Sequence, residues 1–306
     1  MDADPSLGGR DGGNVHAIAI MCLASLCFIA MHSCIKTVRG EVPVGVILWS
    51  QYAFQIVLLT LVFVPRLSLM VRRELFPLQV LRALMLAAAI GGFFIAVGLM
   101  PLADVIAIGF IAPILITILS VVFLGEAVGR MHWIAVLVGF AGVLIIVQPG
   151  GDLFRWEATV PMAASLCVAI YQTMTRPISR VVEPAAILYV ATLVGLAGTS
   201  ILVPFDWQMP GLEHAAVLCA AACLGAAAHF LLIKAYQRAE ASVVAPFAYS
   251  ELIWASALGF AVFGDVPAVS TLAGGAVLAG SGLYLLRAAG PRGSPNRRAA
   301  EPLRPR

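Results

Sequence analysis

The sequence predicts an all-α integral membrane protein of ten transmembrane helices, arranged as two inverted five-helix repeats with both termini cytoplasmic. Three observations predict it: the composition, the spacing of the apolar runs and an internal repeat. Of 306 residues, 61% are apolar and only 11% charged, against about 45–50% and about 25% in soluble domains. The mean hydropathy is +0.98. Too little charge remains to coat a water-facing surface, which excludes a soluble enzyme, a nucleic-acid binder and a disordered chain.

A hydrocarbon core of about 30 Å takes about 20 apolar residues per helix. Runs of that size, broken by charges and by Pro or Gly, fall at 15–37, 43–64, 79–100, 102–124, 131–149, 158–176, 184–204, 212–235, 241–263 and 267–287. The first is too long for a leader peptide, and the stretch before it (Asp2, Asp4, Arg10, Asp11) is not basic. The third and fourth are divided only by Met100, Pro101 and Leu102, the weakest of the boundaries. Gly125-Glu126 and Gly264-Asp265 close the fourth and ninth, and Arg130 opens the fifth. Each run is read as a continuous helix, because hydrocarbon offers no partner for free backbone groups.

Basic residues set the orientation. With the N-terminus inside, only Lys36, Arg39 and Arg155 of the 19 Lys and Arg lie outside. Arg82 is counted with the inside group, at the end of the third span. The organisation is then a cytoplasmic segment 1–14, a first repeat 15–149, a periplasmic linker 150–157, a second repeat 158–287 and a basic cytoplasmic tail 288–306. The six cysteines (Cys22, Cys27, Cys34, Cys167, Cys219 and Cys223) lie in apolar stretches and read as packing residues. No metal site and no cofactor is expected.

The repeat is visible at a constant offset. Ala24-Ser25-Leu26-Cys27 recurs 140 residues later as Ala164-Ser165-Leu166-Cys167. At the same offset His32 meets Gln172, Lys36 meets Arg176, and Ile47-Leu48-Trp49 meets Ile187-Leu188-Tyr189. Gly125-Glu126 meets Gly264-Asp265 at an offset of 139. An odd number of helices per copy makes the second copy enter the membrane from the opposite side. Inverted repeats of this kind belong to secondary transporters, with substrate held between the halves near the midplane.

Two stretches then carry a family resemblance. One is Ala103-x₉-Pro113 followed by Phe123-Leu124-Gly125-Glu126, Trp133, Gly139 and Gly142. The other is Ala245-Pro246-Phe247-x-Tyr249-x-Glu251 followed by Phe263-Gly264-Asp265-x-Pro267 and Gly282. From about 15 to 287 the chain resembles the EamA branch of the drug/metabolite transporter superfamily. Its Ala-Pro-Phe-x-Tyr-x-Glu stretch looks like the group containing S-adenosylmethionine uptake carriers, with amino-acid exporters and riboflavin carriers as broader relatives. Asp265 stands where the second copy usually has Glu. The resemblance implies a multi-pass protein of the bacterial inner membrane that carries a small polar metabolite, an amino acid or an S-adenosylmethionine-like compound.

Ionisable residues within a span cost about 2.5–3.5 kcal/mol on insertion scales and mark pathways by default. Glu251, near the middle of the ninth span, is the foremost candidate. It can bind a cationic group, carry a coupling proton, or be a buried structural acid. Pro246 removes a backbone donor five residues earlier and should kink the helix, and Tyr249 and Trp254 can shape the same wall. His32 and Lys36 share a face of the first span, mirrored by Gln172 in the sixth. Each also has a plainer reading, as packing histidine or interfacial anchor. His229, Trp49, Gln51 and Gln55 complete the candidates, the amides binding either substrate or a neighbouring helix. Pro113, Gly125, Glu126, Pro246, Gly264 and Asp265 read as structural or gating residues, with Glu126 bonding nearby backbone or an Arg such as Arg130. A membrane-embedded enzyme lacks support, since no H-E-x-x-H, G-x-S-x-G or P-loop is present. A sensor would want a soluble domain. The expected partners are the bilayer, a small molecule and a coupling proton; nucleic acid is not among them. Monomer and homodimer both fit.

Overall fold

The computed structural model describes residues 8–38, 40–63, 75–99, 102–148, 156–205, 207–264 and 269–288. In chain order these form α1 (Gly8–Val38), α2 (Val44–Phe63), α3 (Phe76–Leu99), α4 (Leu102–Gly109), α5 (Ala112–Leu124) and α6 (Arg130–Val147). The second half gives α7 (Thr159–Ser179), α8 (Pro184–Leu202), α9 (Leu212–Arg238), α10 (Ala241–Val244), a 3₁₀ turn (Ala245–Tyr249), α11 (Ser250–Phe263) and α12 (Val269–Ala288). Six stretches are long and apolar enough to cross a membrane: Asn14–Val38, Val44–Val62, Phe76–Phe93, Pro184–Phe205, Leu212–Arg238 and Ala241–Phe263. Ala112–Leu124, Arg130–Ile146 and Val269–Leu285 are apolar but shorter. Gln172, Thr173, Thr175 and Arg176 give α7 a polar stripe, and it falls in neither group.

The fourth and ninth runs are not the continuous helices expected. Phe110 and Ile111 form a turn between α4 and α5. The ninth run passes from α10 through the 3₁₀ turn to α11, with Pro246 in the turn's first residues. A proline there lacks the donor that an α-helical ladder needs, so the tighter winding is tolerated. Gly125 and Gly264 follow α5 and α11 with φ of 67° and 70°. That left-handed conformation ends a helix and favours glycine.

The main interfaces join one half to the other. α1 packs on α9, and its repeat counterpart α7 packs on α3. α1 also meets α11 as α7 meets α5, and α9 meets α2 as α3 meets α8. α2 with α8 and α6 with α12 pair each element with its own counterpart. This packing has the two-fold pattern that the sequence offset anticipates. Small residues make it close: a Cβ on Gly274 of α12 would lie 2.5 Å from the Gly142 carbonyl of α6.

Candidate functional site

Buried polar side chains gather where α2, α3, α7, α8 and α9 meet. Arg82 enters from α3, about 9 Å along the helix from Phe76 at 1.5 Å per residue, and is 1% exposed. Its Nε donates to Thr175 Oγ1 at 2.7 Å, and its guanidinium lies over the Tyr171 ring at 4.4 Å. Among the described residues, Nη1 and Nη2 have no hydrogen-bond partner. Gln55 reaches in from α2, buried, with Nε2 likewise unpartnered. Arg82, Gln55, Tyr52, Tyr171 and His229 share the wall of a cavity of about 10 Å³, room for about one water.

Local sequence explains how these groups converge. Thr175 satisfies its hydroxyl on the Tyr171 carbonyl at 2.7 Å, leaving its oxygen lone pairs toward Arg82. Gly195 of α8 admits the Tyr52 ring, which a Cβ would meet at 2.5 Å. Tyr171 Oη stands 3.4 Å from His229 Nδ1. The His229 ring in turn meets Phe28 of α1 edge-on, with centroids 4.8 Å apart. From Phe28 the same α1 face runs on to His32 and Lys36 at four-residue spacing, and both are exposed. The cavity thus adjoins a face of α1 that carries His32 and Lys36, both exposed at the surface of the chain.

One end of the bundle is held across the repeats by side-chain contacts. Glu126, just beyond α5, accepts the backbone N–H groups of Ala241 and Ser242 at 2.8 and 2.9 Å and the Ser242 hydroxyl at 2.7 Å. His132 Nε2 donates to the Ser242 carbonyl at 2.7 Å. Arg176 Nη1 donates to the carbonyls of Tyr236 and Gln237 at 2.7 and 3.0 Å. The Glu126 carboxylate therefore caps the opening turn of α10 in the other repeat, where free N–H groups and the helix dipole favour an anion. Arg130 is not its bonding partner.

The remaining candidates are dispersed. Glu251 lies in the first turn of α11, partly buried, with no hydrogen bond or ion pair among the described residues. Trp254 Nε1 donates to the Cys22 carbonyl at 3.1 Å, which ties α11 to α1. Lys36 Nζ sits 4.0 Å over the Phe263 ring. Gln172 accepts from Tyr236 Oη at 2.5 Å. Gln51 Nε2 donates to Met31 Sδ at 3.0 Å. Trp49 Nε1 donates to Ser200 Oγ at 3.0 Å, and its ring meets Trp207 edge-on. Tyr249 turns away from Glu251, into a cluster with Val143 and Leu278 and against Gly139 and Phe110. Pro113 stands in the first turn of α5, and Asp265 lies outside the described residues. A separate cavity of about 470 Å³ between α6, α11 and α12 is walled by Leu252, Phe260 and Leu272, with Ser256 and Thr271 its hydroxyls. That lining suits hydrocarbon better than a polar solute.

Arg82 is the residue that sequence reasoning misplaced. It was counted with the inner-end charges, yet it projects into the bundle core. The available signal was its position three residues inside its apolar run, with Gln79 on the same face; Gln79 is also buried, with both amide atoms unpartnered.

The EamA-like transporter family matches residues 15–148 and 155–288. The chain belongs to that family. It is 30% identical to a riboflavin transporter of Vibrio cholerae over 84% of this chain and 88% of that one. An S-adenosylmethionine uptake transporter of Rickettsia bellii is 25% identical over 68% of this chain and 72% of its own length. A crystal structure covering 89% of this chain, and 98% of its own, superposes with a TM-score of 0.76 at 17% identity, which shows the fold alone. The protein is a multi-pass inner-membrane transporter of small metabolites, and the EamA-like match to each half accounts for the two-fold packing.

Proposed function

We propose that this EamA-like transporter is a secondary carrier working by alternating access between two inverted five-helix repeats. In this reading the chain crosses the membrane ten times with both termini cytoplasmic, and the two halves suffice for transport as a monomer. The observation that supports it is the packing of one half on the other, with cross-repeat contacts at both ends. At one end Glu126 and His132 hold α10 of the other repeat. At the opposite end Glu41 pairs with His214 at 3.0 Å and Trp49 donates to Ser200. With cytoplasmic termini the Glu126 end faces the cytoplasm, and releasing one set of contacts at a time opens the site to one side of the bilayer.

The cargo is a small polar metabolite with an aromatic part. Phe28, Tyr52, Tyr171 and His229 offer rings around the buried polar groups, which supports riboflavin-like and S-adenosylmethionine-like compounds over simple sugars. Glu251, partly buried and without a hydrogen bond or ion pair among the described residues, serves a coupling proton. The test is counterflow in proteoliposomes preloaded with unlabelled riboflavin or S-adenosylmethionine and supplied with labelled compound outside. Transient accumulation of label is expected for one of them. No accumulation beyond protein-free liposomes for any member of a wider metabolite panel overturns the carrier reading.

A further inference from the structure

The cavity at Arg82 has a chemistry that the family does not specify. A buried charge is tolerated when it is paired and its hydrogen bonds are satisfied. Here the guanidinium has one hydrogen bond and one ring stack, Nη1 and Nη2 are buried without acceptors, and the side chain lines the cavity. No carboxylate among the described residues pairs with it. Beside it the Gln55 amide nitrogen is a further donor without an acceptor. Three buried donor nitrogens thus stand without acceptors in a site almost closed to water.

We infer that Arg82 and Gln55 form a receptor for a carboxylate, so that the cargo of this carrier bears one. The planar guanidinium presents parallel N–H groups that match the two oxygens of a carboxylate, and the Gln55 amide adds a third donor. The cavity has room for about one water, less than the three heavy atoms of a carboxylate, so binding widens it. Only the charged end of a longer molecule enters; the remainder lies toward His229, Phe28 and the α1 face that carries His32. Structural use of Arg82 is a poor alternative. Thr175 and Tyr171 engage one nitrogen and one ring face, and an apolar side chain of similar length would pack there without the desolvation cost. This inference rests on the carrier reading and narrows its substrate class.

Thermal unfolding of the detergent-purified transporter tests it with defined probes: S-adenosylmethionine, its decarboxylated analogue, the common amino acids, and riboflavin as a probe without a carboxylate. At least one carboxylate-bearing probe is expected to raise the melting temperature, and its carboxylate-free counterpart to bind at least roughly 30-fold more weakly, the equivalent of about 2 kcal/mol. Arg82→Met is expected to abolish that shift without lowering the melting temperature of the unliganded protein, and Gln55→Ala to weaken it. Arg82→Lys should retain part, because it keeps the charge and loses the fork. An unliganded Arg82→Met protein that melts well below wild type makes Arg82 structural and overturns the inference. Riboflavin binding that is indifferent to Arg82→Met overturns it too, leaving the carrier reading intact. Silence of every probe, with no counterflow, overturns both.

Discussion

The two broken spans occupy matching places in the two repeats but differ in chemistry. In the first copy the break is Phe110–Ile111 and the following helix opens on Ala112 and Pro113. In the second the break is a five-residue 3₁₀ turn, and the following helix opens on Ser250 and Glu251. At the offset of 139, Glu251 falls opposite Ala112. The same holds in reverse for Arg82, whose counterpart at 140 is Ala222. Duplication accounts for a symmetric backbone, and Arg82 and Glu251 are each placed singly upon it, one in each half.

The sharpest way to break this comparison is to neutralise the acid. Glu251→Gln keeps shape and removes the titrating oxygen. If Glu251 carries a coupling proton, net gradient-driven uptake falls by about 10²-fold, the scale of a lost proton-transfer group, while substrate exchange persists. Parallel assays of pH-driven uptake and counterflow decide it. Exchange and net transport lost together, with affinity gone, make Glu251 a binding carboxylate; wild-type transport indifferent to a pH gradient removes the proton.

The tied end gives the next largest effect. Glu126→Ala strands two backbone N–H groups and a hydroxyl at the start of α10. Hydrogen bonds to a charged group contribute about 1.5–3 kcal/mol, so the melting temperature should fall clearly, and less for Ser242→Ala. The same substitution loosens the tie between the repeats. A thiol placed at Ser165 in a cysteine-free protein should then label faster from the side of the membrane on which Glu126 lies. Unchanged stability and labelling remove Glu126 from the gate.

A third comparison is between the two glycines of the α6–α12 seam. A Cβ on Gly274 would meet the Gly142 carbonyl oxygen and Ile146 Cγ1, each at 2.5 Å, whereas one on Gly142 finds its nearest atom at 3.0 Å. Overpacking costs about 1–3 kcal/mol. Gly274→Ala should destabilise the protein more than Gly142→Ala does, read as the order of their melting temperatures. Equal effects imply that the seam relaxes by sliding as a unit.

Much of this architecture was legible beforehand. Apolar run length placed the helices, because a bilayer imposes one length on all of them. The offset of the Ala-Ser-Leu-Cys segment disclosed the repeat, because duplicated packing faces keep small residues in register. The polar site was less legible. Glu251, His229 and Gln55 stood out as polar residues deep in apolar runs, yet only His229 and Gln55 share a wall with Arg82. Arg82 lay close enough to its helix end to pass for an interfacial charge, and nothing in a one-dimensional pattern tells a snorkelling arginine from one turned inward by Thr175 and Tyr171. Tyr249 sat two residues from Glu251, a spacing that already separates side chains on a helix, and its ring packs with Val143 and Leu278. The 3₁₀ winding of Ala245–Tyr249 is a change of helical period that the apolar run did not disclose.

That change of period is also the subject of the smallest expected effect. Pro246 in the 3₁₀ turn and Pro113 in α5 both occupy first-turn positions, where a missing donor costs an α-helix nothing. The residues ahead of them differ. Pro113 follows a turn that already ends α4, so Pro113→Ala leaves the break in place. Pro246 follows directly on α10, and alanine there lets the α-helical ladder run from α10 into α11. Pro246→Ala should therefore slow transport severalfold while changing ligand affinity little, because the turn is where α11 rotates relative to the tied α10. Pro113→Ala should leave the rate near wild type. Initial rates of counterflow for the two variants, beside their thermal-shift affinities, give the comparison directly; equal rates for both would show that the 3₁₀ turn is set by packing around Phe247 and not by the proline.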